Sequence, residues 1–131
     1  MRGKYRGKRI DNGEWIYGWY HELDHANHKG KAYIIPRSAS ALYSFKVDPA
    51  TVGQYTGLKD PEGTEVYDGD NLEVTSRLSG MKYQYTVGFD EKNARYMTEN
   101  ANGRTQELVS ITIERGGLVI GNRWDTPEGR T

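Results

Sequence analysis

The sequence predicts a mainly β protein with little helix: an amino-terminal β-hairpin followed by a small barrel-like carboxy-terminal part, SH3-like or an open barrel. Three observations carry that expectation. Apolar and aromatic residues alternate with polar ones at a period of two, as on a half-buried strand. The 16 glycines and 4 prolines fall between these segments as punctuation. The aromatic content lies in 10 Tyr and 3 Trp, residues suited to pleated, half-exposed faces.

The elements follow in order. Residues 3–21 read as a hairpin, with Asp11-Asn12-Gly13 supplying the positive φ of its turn. Trp15, Tyr17 and Trp19 alternate with Ile16, Gly18 and Tyr20, and the aromatic set is expected inward. Residues 22–51 bridge to the barrel-like part and contain a candidate strand at Lys31–Ile35. Asp48 is an N-cap and Pro49 a first helical residue, so a short helical turn opens there and ends at Gly53. Turns are expected at Lys59–Thr64, Asp68–Asp70, Asn100–Gly103 and Arg115–Gly117. Between them, Leu72–Thr75, Met81–Phe89, Leu108–Ile113 and Leu118–Ile120 are candidate strands. In the third strand from the end, Met81, Tyr83, Tyr85, Val87 and Phe89 form the inward face. The barrel-like part spans 52–124, and the chain of 131 residues is expected to form a single domain.

Composition excludes several classes. The chain has no cysteine, which removes disulfides, thiol nucleophiles and Cys-based zinc sites. No apolar run is long enough to span a membrane or serve as a signal peptide, so a soluble cytoplasmic protein is expected. Lys plus Arg and Asp plus Glu number 18 each, but unevenly placed. Residues 1–46 hold nine basic and four acidic side chains, whereas residues 47–73 hold one basic and seven acidic. The two regions could complement each other within the fold or between subunits.

Three constellations could carry chemistry. His21-Glu22-Leu23-Asp24-His25 is a literal H-E-x-x-H, and His28 adds a third imidazole. In a metallohydrolase this motif needs a helix, so that two His meet one Zn²⁺ and the Glu acts as base. Here the preceding residues are β-patterned, and on a strand the two His would lie roughly 13 Å apart. The acidic cluster Asp60, Glu62, Asp68 and Asp70 lacks the spacing of a calcium loop and fits turn capping. Lys4, Tyr5, Arg6, Lys8 and Arg9 could contact nucleic acid as a basic strand or arm, or protect an edge strand by charge. No phosphate-binding or nucleophile-elbow motif occurs. No catalytic, cofactor-binding or metal-binding residue is assigned, and no cofactor is expected.

Residues Tyr5–Gly18, Val47–Asp60, Gly63, Val66–Asp70 and Val119–Glu128 together resemble the YopX-like family of phage proteins. Where Asn71 stands, the family pattern carries an aliphatic residue. The resemblance implies a small, mainly β protein of a phage or prophage, without an established activity. The expected function is a non-enzymatic accessory role through protein interaction or self-association, with Tyr5, Tyr17, Tyr20 and Tyr55 as candidate contact rings. Nucleic-acid binding is the alternative, and an H-E-x-x-H hydrolase a remote one.

Overall fold

A computed structural model describes residues 4–23, 31–36 and 44–125. The chain divides into two compact units, Met1–Tyr55 and Thr56–Thr131. Both are built from antiparallel strands, with two short helical turns among the described residues.

In the first unit, β1 (Tyr5–Lys8), β2 (Trp15–Leu23), β3 (Lys31–Pro36), β4 (Phe45–Val47) and the start of β5 (Gly53–Lys59) lie in the order β4-β3-β2-β1-β5. The expected hairpin is present: Tyr5 pairs with Gly18 and Lys8 with Trp15. Gly13 closes it at φ +74°, and the Asn12 side-chain oxygen accepts from the Glu14 amide at 3.0 Å. The bridging segment contributes β3 and β4 to the same sheet. The helical turn at Asp48 is a single 3-10 turn, Pro49–Thr51, whose cap Asp48 accepts from the Ala50 amide at 3.0 Å.

Two expectations change in this unit. The inward face of β2 is the other one. Ile16 and Tyr20 pack on the buried Ala32, Ile34 and Val47, whereas Tyr17 and Trp19 are 47% and 48% exposed. Gly18 decides the face: a Cβ there would stand 2.0 Å from the Ile35 carbonyl oxygen, so only glycine lets β2 approach β3. The basic strand β1 is neither an edge nor a projecting arm. It pairs with β2 on one side and with Gly53 and Gln54 of β5 on the other.

In the second unit, β5 goes on to pair with β6 (Glu65–Tyr67). A separate five-stranded sheet contains β7 (Asp70–Thr75), β8 (Lys82–Asp90), β9 (Arg95–Glu99), β10 (Thr105–Glu107) and β11 (Leu118–Asn122). Its order is β10-β9-β8-β7-β11, an open sheet with edges at β10 and β11 and no barrel closure. Val66, Leu72, Val74, Tyr85, Val87, Leu108 and Ile111 form its core. The inward stripe of β8 holds only at its middle: Tyr85 and Val87 are buried, while Met81, Tyr83 and Phe89 are exposed. Asn71 is half-buried and accepts from the Thr86 hydroxyl at 2.7 Å, a polar substitute for aliphatic packing.

The segment Leu108–Ile113 is not a strand. It turns as a short helix that closes as a π-helix over Ser110–Glu114. Leu108, Ile111 and Thr112 are buried and Val109 and Ile113 exposed, which is an i, i+3, i+4 spacing and not a period of two. Gly117 follows because a Cβ there would lie 2.8 Å from the Ile111 side chain.

Candidate functional site

The H-E-x-x-H motif begins on a strand. His21 and Glu22 belong to β2 and pair with Tyr33 and Ala32 of β3. The His21 ring stacks on Tyr33 at 5.5 Å between centroids. The motif's first two residues are therefore extended and not helical, whereas a zinc site of this type needs a helix to bring residues four apart to one face. His25 and His28 lie outside the described residues.

The acidic turns hold their own backbone. Asp60, only 6% exposed, accepts from the amides of Glu62 and Thr64 at 3.0 and 2.9 Å through Oδ1. Its Oδ2 accepts from the Val119 amide at 3.0 Å, fixing β11. Buried Asp70 accepts from the Tyr67 amide at 2.7 Å. Both carboxylates accept from backbone amides, the structural role expected of turn aspartates.

The basic residues sit against aromatic rings of their own unit. Lys4 Nζ stands 5.1 Å from the Tyr55 ring, and the Arg6 guanidinium 4.8 Å from the Trp15 ring. Lys8 Nζ is 6.0 Å from the same indole, and the Arg9 guanidinium 4.4 Å from Phe45. Arg9 also forms a two-point ion pair with Asp11, at 3.0 and 2.7 Å. Its hydrogen bond and charge hold the Asp11 carboxyl below its ordinary value. Arg6 is buried, at 4% exposure. Tyr5 lies on the opposite, core-facing side, 5.4 Å from Tyr20. Burial, with Glu22 nearby, raises the Tyr20 hydroxyl above its ordinary value. The five residues considered for nucleic acid are therefore split between two faces of an interior strand.

What the sheet does present is an aromatic and aliphatic patch. With Ile16, Tyr20, Ala32 and Ile34 turned to the core, alternation places Tyr17, Trp19 and His21 of β2 beside Tyr33 and Ile35 of β3 on the reverse face. Trp19 is opposite Ile35 and His21 opposite Tyr33, the pairing by which a sheet face makes a continuous surface. Of the four tyrosines singled out from sequence, Tyr17 stands in this patch, and Trp19 was missed. The signal that could have found it is Gly18: a glycine inside a strand marks the side on which another backbone comes close, so its neighbours face away.

The fold is shared with a solved structure. The crystal structure of protein EF1440 from Enterococcus faecalis matches with a TM-score of 0.56 at 21% identity, covering 93% of each chain. No curated protein matches the sequence. The family model described as YopX protein matches residues 4–129, nearly the whole chain, and the chain belongs to that family.

Proposed function

We propose that this YopX-family protein is a non-enzymatic accessory protein of a phage or prophage. It acts in the host cytoplasm by binding a protein, either a second copy of itself or another chain. The observation that carries this reading is the exposure of Tyr17 and Trp19, 47% and 48%, on a strand whose reverse side is the core. Large rings lose few rotamers on binding and bury much area, so they serve as interface anchors. Nucleic-acid binding by Lys4, Tyr5, Arg6, Lys8 and Arg9 is the weaker reading, since the cations already face rings of their own sheet.

A photo-crosslinking residue placed at position 17 or 19 tests the proposal in infected cells, together with sedimentation equilibrium of the purified chain. Defined protein crosslinks at these positions and not at exposed Lys59 are expected, whether to the same chain or another. Crosslinking no different from that at position 59, with a single-chain mass at all concentrations, would refute the proposal.

A further inference from the structure

We propose that a concavity at one end of the second unit's sheet binds the phosphate of a nucleotide, with Arg104 and Arg115 as the phosphate fork and Tyr83 as a stacking wall. The concavity has a volume of about 690 Å³ and is lined by Ser76, Tyr83, Tyr85, Arg104, Gln106 and Arg115, with the Asn100–Gly103 turn. That volume lies within the range of small-molecule sites. Among the described residues, no Asp or Glu lines it. Among the described residues, neither arginine has a carboxylate partner, whereas Arg9 pairs with Asp11 and Arg95 with Glu107. In a chain of 18 acidic and 18 basic residues, two guanidiniums lining one concavity give it a positive field that favours an anion.

Each arginine is delivered by a built turn. Asn100 Oδ1 accepts from the amides of Asn102 and Arg104, both at 2.9 Å, and Gly103 takes φ +82°. This fixes the backbone from which Arg104 projects. On the other side, the π-helix ends at Arg115, whose amide donates to the Ser110 carbonyl at 3.1 Å. Gly116 then reverses the chain at φ +68°. Arg115 Nη1 consequently reaches the Tyr85 hydroxyl at 3.2 Å, with the guanidinium 5.9 Å from that ring. The nearest acid in sequence, Glu114, accepts from the Ser110 hydroxyl at 3.2 Å. π-Helical turns in other proteins recur at functional sites, and this one re-aims a cation toward the concavity.

The ligand class follows from the donors. Guanidinium N–H groups match the paired oxygens of a phosphate, and the Ser76 hydroxyl and the Gln106 amide add donors suited to its remaining oxygens. Tyr83 is 39% exposed at the wall, which offers a ring face to a base. A free mononucleotide and a nucleotide within a single strand share this chemistry.

Calorimetric titration of the full chain with inorganic phosphate, adenosine monophosphate and a short oligothymidylate tests the site. Adenosine monophosphate is expected to bind at least tenfold tighter than phosphate. Arg104→Ala with Arg115→Ala should weaken both by tenfold or more, and Arg115→Lys should fall between. Tyr83→Ala should abolish the nucleotide's advantage and leave phosphate unchanged. All three residues are exposed, and because Arg115→Ala also removes the Tyr85 contact, Arg115→Lys and a thermal melt of each variant separate lost binding from lost folding. An oligothymidylate tighter than the mononucleotide identifies a strand as the ligand, and equal affinity a free nucleotide; either supports the site. No saturable binding of any probe, no loss in the double variant, or equal affinity for phosphate and nucleotide would each overturn it.

Discussion

Among the described residues of the first unit, the fully buried apolar side chains are Ala32, Ile34 and Val47, with Tyr5, Ile16, Tyr20 and Val52 half-buried around them. The second unit buries Val66, Leu72, Val74, Tyr85, Val87, Leu108 and Ile111. Among the described residues the first unit thus has the thinner apolar layer, with Arg6 and Lys8 set against the Trp15 ring on the reverse face. The other has a core of ordinary depth and ties its turns with buried carboxylates. Apolar burial stabilises by about 25 cal/mol per Å², so the second unit should be the more resistant to opening. The first unit leaves Tyr17 and Trp19 exposed. Native-state hydrogen exchange reads each unit separately, and β7 and β8 amides are expected to be protected longer than those of β2 and β3.

The largest expected effect lies in the thinner unit and concerns backbone approach. Gly18→Ala would bring a Cβ to 2.0 Å from the Ile35 oxygen, and no side-chain rotation relieves a clash with backbone. We expect a loss of at least ~3 kcal/mol, read by denaturant unfolding, with exchange protection in β2 and β3 collapsing first. A Gly18→Ala protein as stable as wild type would show that β2 and β3 are not in the register Gly18 to Pro36.

Next comes the core itself. Leu72→Ala should cost ~2–5 kcal/mol, because the site is fully buried among branched neighbours that cannot collapse into the gap. Val47→Ala removes less volume from a layer bordered by Gly7 and half-buried rings, and should cost ~1–2 kcal/mol. Equal losses on denaturation would mean that the two layers do not differ in depth.

Glycines sharpen the contrast within the second unit. Gly57, Gly63 and Gly69 all have positive φ, at +90°, +87° and +94°. A Cβ at Gly57 or Gly63 meets open space, whereas at Gly69 it would stand 2.2 Å from the Trp124 ring. Valine at the first two should cost ~1–3 kcal/mol through backbone strain alone. Gly69→Val should cost more, and Trp124→Ala in that background should recover part of the difference. A Gly69→Val melt matching that of Gly63→Val would show that the indole yields without cost.

Local signals in the sequence were legible where a single residue dictates geometry. Asp48-Pro49 marked a helical turn, Asn12-Gly13 a hairpin, and Asp60 a capped turn, each because the constraint is contained within a few residues. Alternation alone misassigned the face of β2, since Trp15, Tyr17 and Trp19 are the more apolar set. The deciding constraint was the approach of β3, which acts through Gly18. Leu108–Ile113 fits both periods over six residues, and its helical turn is fixed by which side chains meet the core formed by Leu72 and Val87. The interior position of β1 depends on pairing with residues 53 and 54, a long-range choice with no local signature. Arg104 follows the expected turn Asn100–Gly103 and Arg115 opens the expected turn Arg115–Gly117, yet that both line one concavity is a property of the tertiary fold.

The smallest expected effect compares two carboxylates beside turns, one in each unit. Asp11 is held below its ordinary pKa by the Arg9 hydrogen bond first and by the Arg9 charge as well. Asp90 is held below it by the Asn93 side-chain amide first, at 2.8 Å, with the Lys92 and Asn93 amides adding to it. A depressed folded-state pKa contributes stability that is present above the unfolded value. That contribution is lost as pH falls through the ordinary aspartate value of 3.8 and then through the lower folded one. Asp11→Asn and Asp90→Asn should therefore each lower the melting temperature slightly at neutral pH and converge with wild type in acid. The two should part company in salt. An ion pair at the surface is screened when the Debye length shrinks to about 3 Å at 1 M, whereas short hydrogen bonds from neutral amides are not. In concentrated salt the Asp11→Asn deficit should shrink while the Asp90→Asn deficit persists. If both deficits faded together, charge and not amide donation would be what holds the β8–β9 turn, and Arg95 would be the residue to change next.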